Sequence, residues 1–180
     1  PTPPRGDAVS LGYRPECECL ERTCTSLFVC ARRRTRGALR APDLSDLIGV
    51  PFLDGGRDPA IGLDCWGLVM EVTSRVSRDR IVPDYGVSAD DIANIRLVSA
   101  PIIAGTAEKS NWHRLPGPIL GAVAALAISP YCPGVAQHFG VCLDEIRFIH
   151  TLKKTGAHVV RLDHLFWSRK IQGYFEWRAA

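Results

Sequence analysis

Gly62-Leu63-Asp64-Cys65-Trp66-Gly67-Leu68-Val69 is the stretch on which the reading of this chain turns. Aspartate is a strong helix cap, because its carboxylate can accept one of the N–H groups that a first turn leaves unpaired. Downstream of Asp64, Leu68, Val69, Val72 and Val76 recur at helical spacing and predict a helix over about 65–77 with one apolar stripe. Cys65 therefore stands at the mouth of that helix. A thiol attacks as thiolate, and a free pKa of about 8.5 leaves only a few per cent ionised at neutral pH. A helix N-terminus lowers that pKa, and a neighbouring imidazolium lowers it further. The Cys65 N–H points outward at such a position and can donate to a developing oxyanion. Gly67 removes bulk one turn in, where a substrate or a facing strand could approach. The competing reading of Cys65 is a buried structural thiol, a common fate of free cysteine.

A nucleophilic cysteine needs a base on a rigid element. His138, 73 residues after Cys65, opens an alternating segment in which Phe139, Val141 and Leu143 share one face and His138, Gly140 and Cys142 the other. His150 lies 12 residues beyond His138, across an Asp144-Glu145-Ile146 turn. If those three residues form the loop, His138 faces residue 152 and His150 is its diagonal neighbour on the same face. A slip of one residue would send His150 to the other face. In the first register one imidazole can orient the other, supplying the third member of a Cys-His arrangement.

The rest of the chain frames this site. At 180 residues, 46% hydrophobic and 23% charged, it has the length and composition of one globular domain with an appended segment. Residues 1–41 are Pro-, Cys/Glu- and then Arg-rich, carry a net charge of +4, and read as a flexible extension or as sequence not native to the domain. Residues 42–180 carry a net charge of −1, which argues against a nucleic-acid enzyme. The seven cysteines do not suggest a disulfide framework, and the spacing of Cys17, Cys19, Cys24 and Cys30 lacks the paired knuckles of a zinc site. No run of about 18 apolar residues predicts a membrane span, and no signal peptide is visible in a chain that begins with Pro1.

Leu44, Leu47 and Ile48 suggest a short helix capped by Asp43 or Ser45 and ended by Gly49. Ser88-Ala89-Asp90-Asp91 resembles a capping box onto another, through Leu97. Segments 117–128, 147–152 and 158–162 read as a turn with a buried strand and two further strands. Asp163 is placed to cap a short helix through Lys170, and 171–177 closes the chain as an aromatic strand. One early helix followed by a run of strands predicts an α+β domain with an antiparallel sheet.

The motifs Ile48-Gly49-Val50-Pro51-Phe52 with Gly55-Gly56, Asp64 through Val69, His138-Phe139-Gly140-Val141 and Arg147-Phe148-Ile149-His150 together resemble NlpC-type cysteine peptidases. These are papain-like enzymes that cut the peptide stems of bacterial cell walls. Trp66 directly after the cysteine, Val82-Pro83-Asp84-Tyr85, and the ending Phe166-Trp167 with Ile171 and Gly173-Tyr174 resemble the branch found in phage tails and gene-transfer particles. The resemblance spans about 44–177. It implies a papain-like fold whose N-terminal catalytic helix packs on the sheet, with Cys65 as nucleophile, His138 as base and His150 as the polar third residue. It places Asp64 on the substrate-amine side of the cleft and Trp66 beside the nucleophile, as cleft wall or as core. It also implies the bond between D-glutamate and the diamino acid as the target, peptidoglycan stem peptides and phage tail proteins as partners, and action on a virion or in the cell-wall compartment. Two positions depart from the family pattern. Phe52 stands where a Tyr is common, and Pro116-Gly117-Pro118 replaces Pro-Gly-Asp.

The expected chemistry needs no cofactor and no metal. Cys65 attacks an amide carbonyl, His138 protonates the leaving amine, and His138 then activates the water that releases the acyl group. The alternatives are a Cys-His amidase or acyltransferase on another substrate, and a tail-assembly module with a decayed site.

Overall fold

The computed structural model describes residues 41–78, 81–86, 111–131 and 134–178. The capping box at 88–91 and the N-terminal segment 1–40 lie outside them. The elements run β1 Arg57–Asp58, β2 Gly62–Leu63, α1 Cys65–Val76, β3 Trp112–Leu115, β4 Val123–Leu126, β5 His138–Cys142, β6 Arg147–Leu152, β7 Gly156–Arg161, a single helical turn α2 Leu165–Ser168, and β8 Ile171–Trp177. Strands β3 to β8 form one sheet in the order β3-β8-β4-β5-β6-β7, every neighbouring pair antiparallel, and β1 pairs with β2 as a separate ribbon. The chain is thus α+β, with its one long described helix laid on an antiparallel sheet.

Alternation along the strands divides the core in two. On one sheet face Val123, Ala125, Phe139, Val141, Ile149 and Phe175 pack with Trp66, Leu68, Val69 and Val72 of α1. On the other, Ala122, Ala124, Leu126, Cys142 and Phe148 pack with Leu162 and Trp167. Each fully buried Val, Leu or Phe in such a cluster contributes about 1.5–3 kcal/mol, so the helix is held mainly by its stripe.

Close backbone approach locks α1 in place. Asp64 caps it by accepting the Gly67 N–H at 2.6 Å, an interaction of about 0.5–2 kcal/mol. Gly67 is approached by backbone: a Cβ there would lie 2.1 Å from the Gly56 carbonyl oxygen. The segment before the ribbon is a single 3-10 turn at Ser45–Leu47, with Asp43 accepting the Ser45 N–H at 2.9 Å and Gly49 leaving it at a φ of 84°. The Gly49 N–H then donates to Ala157, and the Ala157 N–H to Val50, both at 2.8 Å, tying that segment to β7.

Three local expectations change. The helix expected from Asp163 is only α2, capped by the His164 ring, which accepts the Phe166 N–H at 3.3 Å. Asp163 is taken instead by a two-point pair with Arg161 at 2.9 and 2.6 Å, which occupies both of its carboxylate oxygens. Within 117–128 the strand is confined to Val123–Leu126. Finally, Trp112–Leu115 forms a sheet edge against β8 that its sequence does not announce.

Candidate active site

Cys65 is the first residue of α1 and is 6% exposed. The backbone N–H groups of Phe139 and Trp66 act on its sulfur in the direction that favours the thiolate. The nucleophile candidate therefore sits against the start of β5, one residue past His138. No thiol–imidazole hydrogen bond is present among the described residues. Burial pushes the thiol up to about 12, the Asp64 carboxylate adds to the rise, and the two N–H groups and Arg57 oppose it. The helix start alone does not make Cys65 a thiolate, because desolvation outweighs the helix field.

The two histidines are brought together. Val141 pairs with Ile149 and Cys142 with Phe148, the register that seats His150 opposite Gly140 and puts it on the face of His138. His138 Nε2 and His150 Nδ1 are 2.9 Å apart. Gly140 permits the approach: a Cβ there would lie 2.7 Å from the Ile149 carbonyl oxygen and 3.1 Å from the His150 Cβ. Both imidazoles are buried. Burial first, then the positive charge His158 can carry, pulls His138 down to about 4. Burial, then His138 and His158, pulls His150 down to about 2. At neutral pH both rings are uncharged, so one proton lies between Nε2 and Nδ1. When His138 donates it, the His138 Nδ1 is left as an acceptor and can take a thiol proton; the opposite tautomer blocks that role.

The pair lies on the sheet face away from the body of α1, walled by aromatic rings. Trp167 stands 4.4 Å from the His150 ring centroid and 6.2 Å from that of His138, and Phe148 stacks on His150 at 5.0 Å. His150 Nε2 is buried without a hydrogen-bond partner. Leaving a polar atom so costs about 1–3 kcal/mol, the kind of local cost that folds carry at working sites. His158, not singled out from sequence, faces His150 across β6 and β7 with ring centroids 4.4 Å apart. The Lys153-Lys154-Thr155 turn that sets this pairing was the available signal.

Asp64 and Trp66 are engaged within the protein. Asp64 is 1% exposed, and its oxygens accept the Gly67 N–H at 2.6 Å, the Gly55 N–H at 3.1 Å and an Arg57 N–H at 2.7 Å. Trp66 donates its indole N–H to the Pro83 carbonyl at 3.1 Å and sets its ring edge-on to Phe139 at 5.2 Å. Arg57, not singled out from sequence, is the cation in this cluster. Cys142 shares the His138 face but is packed among apolar side chains, its thiol pushed up to about 12 by burial. Among the described residues no group of three or more His, Cys, Asp or Glu is placed to hold a metal ion, and no helix is long and apolar enough to cross a membrane.

Fold and site define an α+β protein with a helix-capped cysteine packed on Phe139 of the strand whose His138 belongs to a buried histidine pair. No family model matches the chain, and no curated protein sequence does. Among solved structures it is similar to the NlpC/p60 domain of the peptidoglycan hydrolase SagA, at 17% identity and a TM-score of 0.45, over 73% of this chain and 90% of that one. It is also similar to a Staphylococcus aureus subsp. aureus Mu50 protein described as similar to lipoprotein, NLP/P60 family, at 20% identity and a TM-score of 0.44. That match covers 81% of this chain and 46% of the other, so the chain spans about half the length of the staphylococcal protein.

Proposed function

We propose that this chain is an NlpC-type cysteine peptidase that hydrolyses the peptide stems of bacterial peptidoglycan. The supporting observation is the Asp64-capped Cys65 whose sulfur meets the Phe139 N–H, next to a His138 that is paired with His150 at 2.9 Å. The neutral thiol and neutral imidazole favour general-base attack over a standing ion pair. His138 Nδ1 takes the proton as the sulfur adds to the amide carbonyl, and the Cys65 N–H is one donor for the oxyanion. The protonated His138, held at Nε2 by His150, then gives its proton to the leaving amine. Water activated by the same ring releases the acyl group and regenerates the thiol.

The motif resemblance extends the proposal to the D-glutamyl–diamino acid bond, to a phage-tail or prophage setting with tail proteins as partners, and to action on a virion or in the cell-wall compartment. Asp64 is proposed to define the amine-binding side of the cleft and Trp66 to wall it from within. The test is mass spectrometry of purified peptidoglycan after incubation with the protein and with Cys65→Ala. New stem-peptide termini made only by the unmutated chain are expected, and full cleavage by Cys65→Ala would sink the mechanism.

A second reading, a tail-assembly module with a decayed site, draws on the closed thiol and on Phe52, whose ring carries no hydroxyl and faces the Lys153 ammonium at 5.8 Å. No cleavage of several wall types by the folded protein would favour it.

A further inference from the structure

Arg57 joins three segments around the nucleophile. Its Nη1 donates to the Gly56 carbonyl at 2.9 Å and to Asp64 Oδ1 at 2.7 Å, while Nε and Nη2 fork onto Asp84 at 3.2 and 3.1 Å. Through Asp64 the guanidinium reaches the cap of α1. Through Asp84 it reaches the strap 81–86, where the Pro83 carbonyl takes the Trp66 indole N–H and Tyr85 lies 5.5 Å from the Trp66 ring. The Tyr85 hydroxyl in turn accepts the Trp112 indole N–H at 3.0 Å. Asp64 is thus a carboxylate cut off from solvent, one residue from the sulfur that must become negative. In such a setting like charges repel strongly, and a paired cation offsets the repulsion.

We propose that Arg57 is a positioning residue for the reaction of Cys65, balancing the Asp64 charge at the sulfur and holding the 81–86 strap against the start of α1. The proposal rests on the reading of Cys65 as nucleophile. The charge balance at the thiol agrees with the geometry, since Asp64 pushes Cys65 up and Arg57 pulls it down. Asp64 and Arg57 are the charged groups that act on this thiol, while His138, with His150 and His158 behind it, is the sheet residue next to the Phe139 that packs with Cys65. Asp84 does not act on the thiol; its oxygens accept from Arg57 and from the Gly86 N–H, which ties the strap to the guanidinium. Planar two-sided bridging of two carboxylates suits arginine and not lysine.

The test is the pH dependence of Cys65 alkylation by iodoacetamide in the full chain, read peptide by peptide by mass spectrometry so that other cysteines are scored separately. Arg57→Met should slow Cys65 alkylation at pH 8 about tenfold, which corresponds to a profile displaced upward by about one pH unit. Arg57→Lys should recover most of that loss, because a charge is restored. Made together with Asp64→Asn, Arg57→Met should change the rate less than about threefold, no carboxylate being left to balance. No displacement, or the same displacement whether or not Asp64 keeps its charge, overturns the proposal. Should Arg57→Met fail to fold, Asp64→Asn alone decides: faster alkylation supports the balance, and an unchanged or slower rate overturns it. Asp84→Ala should leave the Cys65 profile in place and raise KM more than it lowers kcat for stem-peptide hydrolysis; a displaced profile overturns the assigned division of labour. Alkylation needs no peptidoglycan, so failure of the peptidase reading shows separately, as absence of stem-peptide cleavage by the unmutated chain.

Discussion

His138 Nε2 and His150 Nδ1 lie 2.9 Å apart inside an aromatic box, and the residue after His138, Phe139, packs in one cluster with Cys65. The contact assigns each ring a separate task. His138 can exchange a proton through Nδ1 only while His150 Nδ1 accepts the proton on His138 Nε2.

His150→Ala is accordingly expected to lower kcat for stem-peptide hydrolysis by on the order of 10²-fold, with a smaller change in KM, because the base loses its tautomer and orientation. His138→Ala should fall to the level of Cys65→Ala. Steady-state kinetics on a purified stem peptide separate these outcomes, and equal loss for both histidines would mean that His150 does more than orient.

Backbone contacts predict which glycines matter. Gly67→Ala and Gly140→Ala put a Cβ at 2.1 Å and 2.7 Å from carbonyl oxygens, an overpacking cost of about 1–3 kcal/mol or more. Gly117→Ala meets nothing within 4 Å and should stay within about 0.5 kcal/mol of the parent. Urea unfolding measures all three, and a neutral Gly67→Ala would contradict the tight seat of α1 on Gly56.

The shifted groups set a dome of stability against pH. His138, held at about 4, and His150, at about 2, bind protons less readily folded than unfolded, where histidine titrates near 6.5. Their contribution is full above about pH 6.5 and is lost as pH falls below it, at up to about 1.4 kcal/mol per pH unit for each ring. Cys65 and Cys142, both pushed to about 12, stay protonated folded while an unfolded thiol ionises near 8.5, so stability also declines above that pH. Thermal melts from pH 4 to 10 should show both limbs, with the acid limb shallower in His150→Gln.

A buried, neutral thiol should also react slowly. Between pH 7 and 10, alkylation of Cys65 in the unmutated chain is expected to stay below that of an unfolded cysteine peptide and to climb about tenfold per pH unit without levelling. A plateau near pH 7 would reveal a standing thiolate and replace general-base attack with an ion-pair mechanism.

Local order was written in the residues. Asp64 and the stripe Leu68, Val69, Val72 and Val76 determined α1, since a cap and a 3.6-residue period need nothing beyond neighbouring side chains. The alternation after His138 told which residues share its face but left two registers open for His150, and the observed pairing of Val141 with Ile149 chose the one that joins the histidines. What only the tertiary structure decided involves residues far apart in the chain. Trp112 finding β8 and Arg57 bridging Asp64 and Asp84 follow from how the elements pack. The state of Cys65 belongs there as well. Its place at a helix start was legible from sequence, but its protonation is set by desolvation, which exists only once the helix, the strap and the sheet have closed around it.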